Sequence, residues 1–179
     1  IDENLNYWIG TNGGLTKYDG SNWITYNTSN SGMPSNYVTS IAFDGTGNTL
    51  AGTDKGLAVF DGSEWMIYNM DNCGLQDNWI NALVKDYYST VHIGSRNGLA
   101  HYYWTSGVIP VTNLALVSND IHALAYDNNW NLWIGTQGGL CKYNSQGLTN
   151  YTTYNSGLPK NNVESLAIGV NGEIWIGTF

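Results

Sequence analysis

The sequence of 179 residues predicts an all-β fold, a β-propeller made of four-stranded blades about 42 residues long. Three observations carry this reading. A short signature recurs five times, as Trp8-Ile9-Gly10-Thr11, Leu50-Ala51-Gly52-Thr53, His92-Ile93-Gly94-Ser95, Trp133-Ile134-Gly135-Thr136 and Trp175-Ile176-Gly177-Thr178, with steps of 42, 42, 41 and 42 between its glycines. Three further columns keep the same step. A Gly-Leu pair follows at Gly14, Gly56, Gly98 and Gly139, an Asn stands at 36, 78, 119 and 161, and the block Val38 to Ile41 returns at Ile80, Ile121 and Val163. Finally, the segments are short and dense in Tyr, Trp and Thr, and the 22 Gly and 24 Asn suit turns rather than helices. A helical solenoid of similar period would show i, i+3, i+4 spacing with abundant Ala, Leu and Glu.

Within one period the elements follow from local pattern. Strands are named A to D from axis to rim. Strand A is Val38 to Phe43 and its copies, a mostly apolar run suited to burial on both faces. Strand B carries the signature, and strand C follows Gly-Leu. Strand D is read as Asn22 to Tyr26, Glu64 to Tyr68 and Asn150 to Tyr154, and in the third copy it is placed only loosely between Trp104 and Leu116. Asp44 to Asn48 and Asp127 to Asn131 read as A–B hairpin turns. The recurring glycines imply close backbone approach or a bulge. The signature tryptophans Trp8, Trp133 and Trp175 are assigned to inter-blade packing, and Trp23, Trp65 and Tyr151 to outer strands. The repeats run approximately 1–36, 37–78, 79–119 and 120–161, with 162–179 incomplete. Opening and closing at the same phase of the repeat predicts about four blades of a larger propeller.

Charge narrows the function classes. Acidic residues outnumber basic ones 14 to 6, for a net charge of -8, which argues against nucleic acid or anionic membrane as partner. No apolar run approaches the ~20 residues that span a bilayer, and no signal peptide is visible. Cys73 and Cys141 form neither a disulfide framework nor a metal motif, and His92, His101 and His122 lack ligand spacing. No catalytic residue, metal or cofactor is therefore expected. No Gly-x-Ser-x-Gly elbow occurs, and no helix follows the glycines to cradle phosphate.

The stretch Asn131 to Tyr143 and the stretch Tyr7 to Asn36, with Lys17-Tyr18-Asp19-Gly20 and Asn30-Ser31-Gly32-Met33-Pro34-Ser35-Asn36, resemble the two-component regulator propeller repeat. The resemblance covers essentially the whole chain. It implies the extracytoplasmic sensor of a hybrid histidine kinase, which responds to oligosaccharides, or a secreted or surface propeller without a kinase.

The D–A and B–C loops emerge on one face of the disc. The residue after the signature varies, as Asn12, Asp54, Arg96 and Gln137, while Tyr37, Trp79, Asp120 and Asn162 stand beside the Asn column. A changing polar residue at a fixed point of each blade is how a propeller displays a recognition ring. These eight are the candidate ligand-binding residues. The Asn column itself is read first as bracing turns through side-chain-to-backbone bonds. The expected function is a non-catalytic sensor module for a glycan or small molecule. The alternatives are a surface propeller for protein interaction or adhesion, with a protein partner or further blades, and more distantly a lyase or glycosidase using Asp54, Asp120 or Glu164.

Overall fold

The computed structural model describes all 179 residues as five antiparallel sheets and a single helical turn. The first sheet holds β1 (Tyr7–Thr11), β2 (Gly14–Tyr18) and β3 (Trp23–Tyr26). The second is β4 (Val38–Phe43), β5 (Thr49–Thr53), β6 (Gly56–Phe60) and β7 (Trp65–Tyr68), followed by α1 (Met70–Cys73). The third is β8 (Ile80–Lys85), β9 (Val91–Ser95), β10 (Gly98–Tyr103) and β11 (Gly107–Pro110). The fourth is β12 (Ile121–Tyr126), β13 (Leu132–Thr136), β14 (Gly139–Asn144) and β15 (Gly147–Tyr151), and the fifth pairs β16 (Val163–Ile168) with β17 (Ile174–Thr178). Strands lie in chain order within each sheet, and the A strands of successive blades, β4, β8, β12 and β16, lie side by side. This is the predicted propeller architecture.

The signature has a separate physical reason at each position. A Cβ placed on its glycine would meet the first residue of the next blade's strand A: Val38 Cγ1 at 2.6 Å from Gly10, Ile80 Cγ2 at 2.7 Å from Gly52, Ile121 Cγ2 at 2.5 Å from Gly94 and Val163 Cγ1 at 2.7 Å from Gly135. The glycine therefore makes room for a β-branched side chain from the neighbouring blade. The following Thr or Ser closes the B–C turn by donating to the carbonyl of the Gly-Leu glycine, from Thr11, Thr53, Ser95 and Thr136 at 2.7–3.0 Å. Those second glycines sit at φ of 118–152°, which favours a residue without Cβ. The leucines after them, Leu15, Leu57, Leu99 and Leu140, are buried between blades, each stabilising by about 1.5–3 kcal/mol.

The Asn column braces turns. Asn36, Asn78 and Asn161 each accept, at 2.8 Å, the backbone N–H of Thr28, Met70 or Thr153 eight residues earlier. At the other face, Asp2, Asp44, Asp86 and Asp127 each accept two amides of the A–B turn on one oxygen. The fourth residue of each of these turns is left-handed, as Leu5 (φ 64°), Gly47 (105°), Ser89 (68°) and Trp130 (60°). A bulky residue there costs about 1–3 kcal/mol.

Two expectations need correction. The fourth strand D is Gly147–Tyr151, not Asn150–Tyr154. Tyr151 pairs with Leu140 as Tyr26 pairs with Leu15 and Tyr68 with Leu57, so Tyr151 occupies the Tyr26 position and Leu148 the place of Trp23. Tyr154 is 94% exposed. Inter-blade packing is observed for Trp8, whose ring meets Phe60 of the second blade edge-on at 6.3 Å, and for Trp133, which shares a buried cluster with Val163 of the next blade, while each also stacks within its own blade, on Tyr26 and Tyr151. Trp175, on a sheet of two strands, is 68% exposed.

The third blade is the deviant. Where Trp8 faces Lys17 and Trp133 faces Lys142, His92 faces His101, their rings 4.4 Å apart. Burial, followed by the neighbouring His101, lowers the His92 pKa to about 4 despite the nearby Asp86.

Two predictions follow from this packing. Gly94→Ala should cost about 1–3 kcal/mol in urea unfolding. The loss should shrink by about 1 kcal/mol or more when Ile121→Ala is already present, whereas simple addition would refute the contact. For His92, the unfolded imidazole titrates near 6.5, so between pH 6.5 and 4 the unfolded chain binds a proton that the folded one does not. Stability is then lost as pH falls through that window, by about 3 kcal/mol from this residue. In His92→Leu, which takes the residue of Leu50, the fall in unfolding free energy from pH 7 to 4.5 should be correspondingly smaller.

Candidate ligand site at the inner strands

The inner face is shaped by one repeated irregularity. In each A–B pair the register slips by one residue: Val38 faces Thr53 but Ser40 faces Gly52, and the same slip follows Ile80, Ile121 and Val163. The skipped residues are Thr39, Asn81, His122 and Glu164. A β-bulge re-aims the side chain of its extra residue, and here all four line one polar cleft of about 520 Å3. Tyr37, Trp79, Arg96 and Asp120 complete it.

Two of the bulge side chains tie their blade to the next. Thr39 Oγ1 donates to the Ile80 carbonyl at 2.5 Å, and Asn81 Nδ2 to that of Ile121 at 2.7 Å. His122 instead lies between two carboxylates, its Nε2 3.4 Å from Asp120 Oδ1 and its Nδ1 3.5 Å from Glu164 Oε2. Those separations are longer than good hydrogen bonds. Asp120 Oδ1 and His122 Nδ1 are buried without a hydrogen-bond partner in the protein.

The B–C and D–A loops meet through a recurring backbone bond. The amide of Arg96 donates to Trp79 O, that of Gln137 to Asp120 O and that of Phe179 to Asn162 O, at 3.0–3.2 Å. Beside the first of these bonds the Arg96 guanidinium lies 3.6 Å from the centre of the Trp79 ring. Arg96 has no carboxylate partner, so its N–H edges stay free. Tyr37 and Trp79 stand 5.8 Å apart with their planes inclined by 56°. The cleft thus offers ring faces, one cation, two carboxylates and amide groups.

Of the eight residues expected to bind ligand, Tyr37, Trp79, Arg96 and Asp120 line this cleft. Asn162 stands behind it, its Nδ2 donating to Glu164 Oε1 at 2.7 Å. Asn12, Asp54 and Gln137 sit in their B–C turns without lining it. Sequence reasoning missed Thr39, Asn81 and His122 as cleft residues and named Glu164 only as a candidate acid. The signal was present, since the second residue of every strand A changes in a polar sense while its neighbours stay apolar or small. No group of three or more His, Cys, Asp or Glu side chains is arranged to hold a metal ion. No helix is long and apolar enough to cross a membrane.

No protein-family model and no curated protein matches the chain. Among solved structures it is similar to the extracellular domain of the hybrid two-component system BT3049 from B. thetaiotaomicron, with 26% identity and a TM-score of 0.88 over 99% of this chain and 26% of that one. The chain therefore spans about a quarter of the length of that extracellular domain. It is also similar to virginiamycin B lyase from Staphylococcus aureus (10% identity, TM-score 0.74, 98% of this chain and 60% of that). An ancestral GH74 enzyme matches at 13% identity and TM-score 0.72, over 98% of this chain and 26% of that. The last two likenesses concern the fold alone. The first likeness agrees with the resemblance of the repeat signature to the two-component regulator propeller repeat.

Arg96 should be nearly free of structural duty, unlike Thr39 and Asn81, which bond to the next blade. Arg96 is exposed and its stacking on Trp79 is worth about 0.5–1 kcal/mol. Arg96→Ala should therefore shift the urea unfolding free energy by less than about 1 kcal/mol, and a larger loss would make the stack part of the scaffold.

Proposed function

We propose that this chain is a non-catalytic ligand-binding module of an extracytoplasmic sensor, and that the cleft between the inner strands receives a polar small molecule, an oligosaccharide by its chemistry. The observation that carries the reading is the convergence of four bulge side chains on a cleft that also holds an unpaired guanidinium over an aromatic ring. Its volume lies within the range of small-molecule sites, roughly 300–1,000 Å3. Ring faces stack on sugar C–H surfaces, while the carboxylates, amide and guanidinium bond hydroxyls. The likeness to the extracellular domain of a hybrid two-component system supports the sensor role.

The cleft draws side chains from four successive blades, Tyr37 and Thr39 from one and Glu164 from the last. A ligand held there would bridge blades that otherwise meet at the glycine contacts. Signalling then requires that the ligand bind one arrangement of the blades, or of neighbouring domains, more tightly than another.

A lyase or glycosidase reading would rest on His122 between Asp120 and Glu164. A purely adhesive propeller would use the same face without a small ligand. One experiment separates the three. On a glycan array the protein should retain a defined oligosaccharide, Trp79→Ala and Arg96→Ala should each weaken it at least tenfold, and prolonged incubation should leave it chemically unchanged. Turnover abolished by His122→Ala would make the protein an enzyme. An array without signal, with protein partners captured through the same residues, would make it an adhesin.

A further inference from the structure

The opposite face of the propeller, formed by the A–B turns, carries a second cleft unrelated to the first. It has a volume of about 290 Å3 and is lined by Asp86, Tyr87, Tyr88, Tyr126 and Trp130. Two adjoining turns build it, Asp86 to Thr90 in the third blade and Asp127 to Asn131 in the fourth. Tyr87, Tyr88 and Trp130 are 73%, 84% and 53% exposed. Trp130 takes a left-handed backbone where the second blade has Gly47.

The rings do not form a flat platform. Tyr87 meets Tyr88 at 86° and 5.5 Å, Tyr87 meets Trp130 at 69° and 5.6 Å, and Tyr126 meets Trp130 at 56° and 5.8 Å. Steeply inclined faces suit a rounded group with no flat side. At this corner lies a carboxylate unlike its counterparts. One oxygen of Asp86 accepts the Tyr88 and Thr90 amides, each at 2.8 Å, as the corresponding oxygen does in Asp2, Asp44 and Asp127. The second oxygen differs. In Asp2 it accepts from Asn6 Nδ2 and Trp8 Nε1, in Asp127 from Asn131 Nδ2 and Trp133 Nε1, and in Asp44 from Asn48 Nδ2. In the third blade Thr90 replaces that Asn and His92 that Trp, so both donors are gone.

His92 Nε2 stands 3.5 Å from Asp86 Oδ2 and is already 2.8 Å from the Tyr126 hydroxyl. His92 is uncharged at neutral pH because burial and His101 hold its pKa at about 4. The basic side chain next in sequence, Lys85, lies against Gly45 of the preceding turn and does not line the cleft. A carboxylate with one free oxygen therefore sits among exposed aromatic faces with no cation of the protein beside it. Aromatic faces attract cations within about 6 Å of the ring centre.

We infer that this cleft, formed where Asp86 meets Tyr87, Tyr88, Tyr126 and Trp130, binds a small quaternary or alkylated ammonium compound. The methyl groups lie against the rings and the positive charge faces Asp86 Oδ2. The site is independent of the oligosaccharide reading and uses none of its residues.

Calorimetric titration of the intact chain with choline tests it, with the uncharged isostere 3,3-dimethylbutan-1-ol, tetramethylammonium and cellobiose as parallel probes. Choline and tetramethylammonium should bind at least tenfold more tightly than the isostere. Asp86→Asn keeps an oxygen for the turn amides and should weaken choline at least tenfold. Trp130→Gly should do the same with an unchanged or higher melting temperature, because glycine suits that backbone, so a failure to fold cannot mimic loss of the site. Trp79→Ala, in the other cleft, should leave choline binding unaltered. Equal binding of choline and isostere, preference for cellobiose, or indifference to Asp86→Asn and Trp130→Gly would each overturn the inference.

Discussion

Four times along the chain, a β-branched residue at the head of strand A rests against a glycine of the preceding blade. Most of the architecture depends on this contact. A side chain in place of any of these four glycines would push the blades apart by more than a close-packed interior tolerates. With the glycine in place, Ile80 and Ile121 become fully buried and Val38 and Val163 nearly or fully so. The contact also fixes what comes next. The register slip lies immediately after each of these residues and opposite the signature glycine of its own blade, Gly52, Gly94, Gly135 or Gly177, so the side chain that follows is turned out of the ladder toward the inner cleft. Blade packing and cleft lining are thus two results of one local arrangement.

That linkage explains why the fold was more legible in the sequence than the site. A glycine every 41 or 42 residues, a Gly-Leu pair and an Asn column each serve a backbone need that only one or two residue types meet, so they repeat visibly. The A, B and C strands could be read from them directly. Strand D has no such requirement. Its fourth copy was misplaced because Leu148 stands where Trp23 and Trp65 stand, so that Tyr151 imitates the missing tryptophan and Tyr154 the tyrosine after it. The bulge itself left no mark, since an extra residue in a strand looks like one more step of the alternation, and the polar second residue of each strand A was visible with nothing to aim it at the cleft. Thr39, Asn81 and His122 therefore escaped notice even though Tyr37, Trp79, Arg96 and Asp120 around them were found.

The expected ring of variable B–C residues turned out to be only partly a ring. All four occupy equivalent turns, yet Arg96 alone among them lines the cleft. Its side chain is long enough to lie across Trp79, and the backbone bond from its amide to Trp79 O brings the two loops together. Asn12 and Gln137 are exposed at their turns. Equivalence of position in a repeat fixes where a backbone is, while reach and neighbours decide whether the side chain takes part.

The third blade shows how a repeat acquires chemistry. Its sheet keeps the glycine contact, the turn hydroxyl and the buried leucine, so packing does not register the change. Replacing the strand B tryptophan by His92 and the turn Asn by Thr90 removes the two N–H groups that neutralise the second oxygen of Asp127 in the fourth blade. There, burial opposes ionisation, but bonds from Trp133 and Asn131 outweigh it and hold the carboxyl below its usual range. In the third blade those donors are gone while the carboxylate remains, kept in place by turn amides that need only its first oxygen. A buried or half-buried acceptor without a donor is costly unless something else supplies the positive end. The same two turns surround it with aromatic rings, one of them held in a backbone conformation that glycine would adopt more easily. Departures from the repeat that weaken a local rule at neighbouring positions, with no packing gained in return, are where function is to be sought.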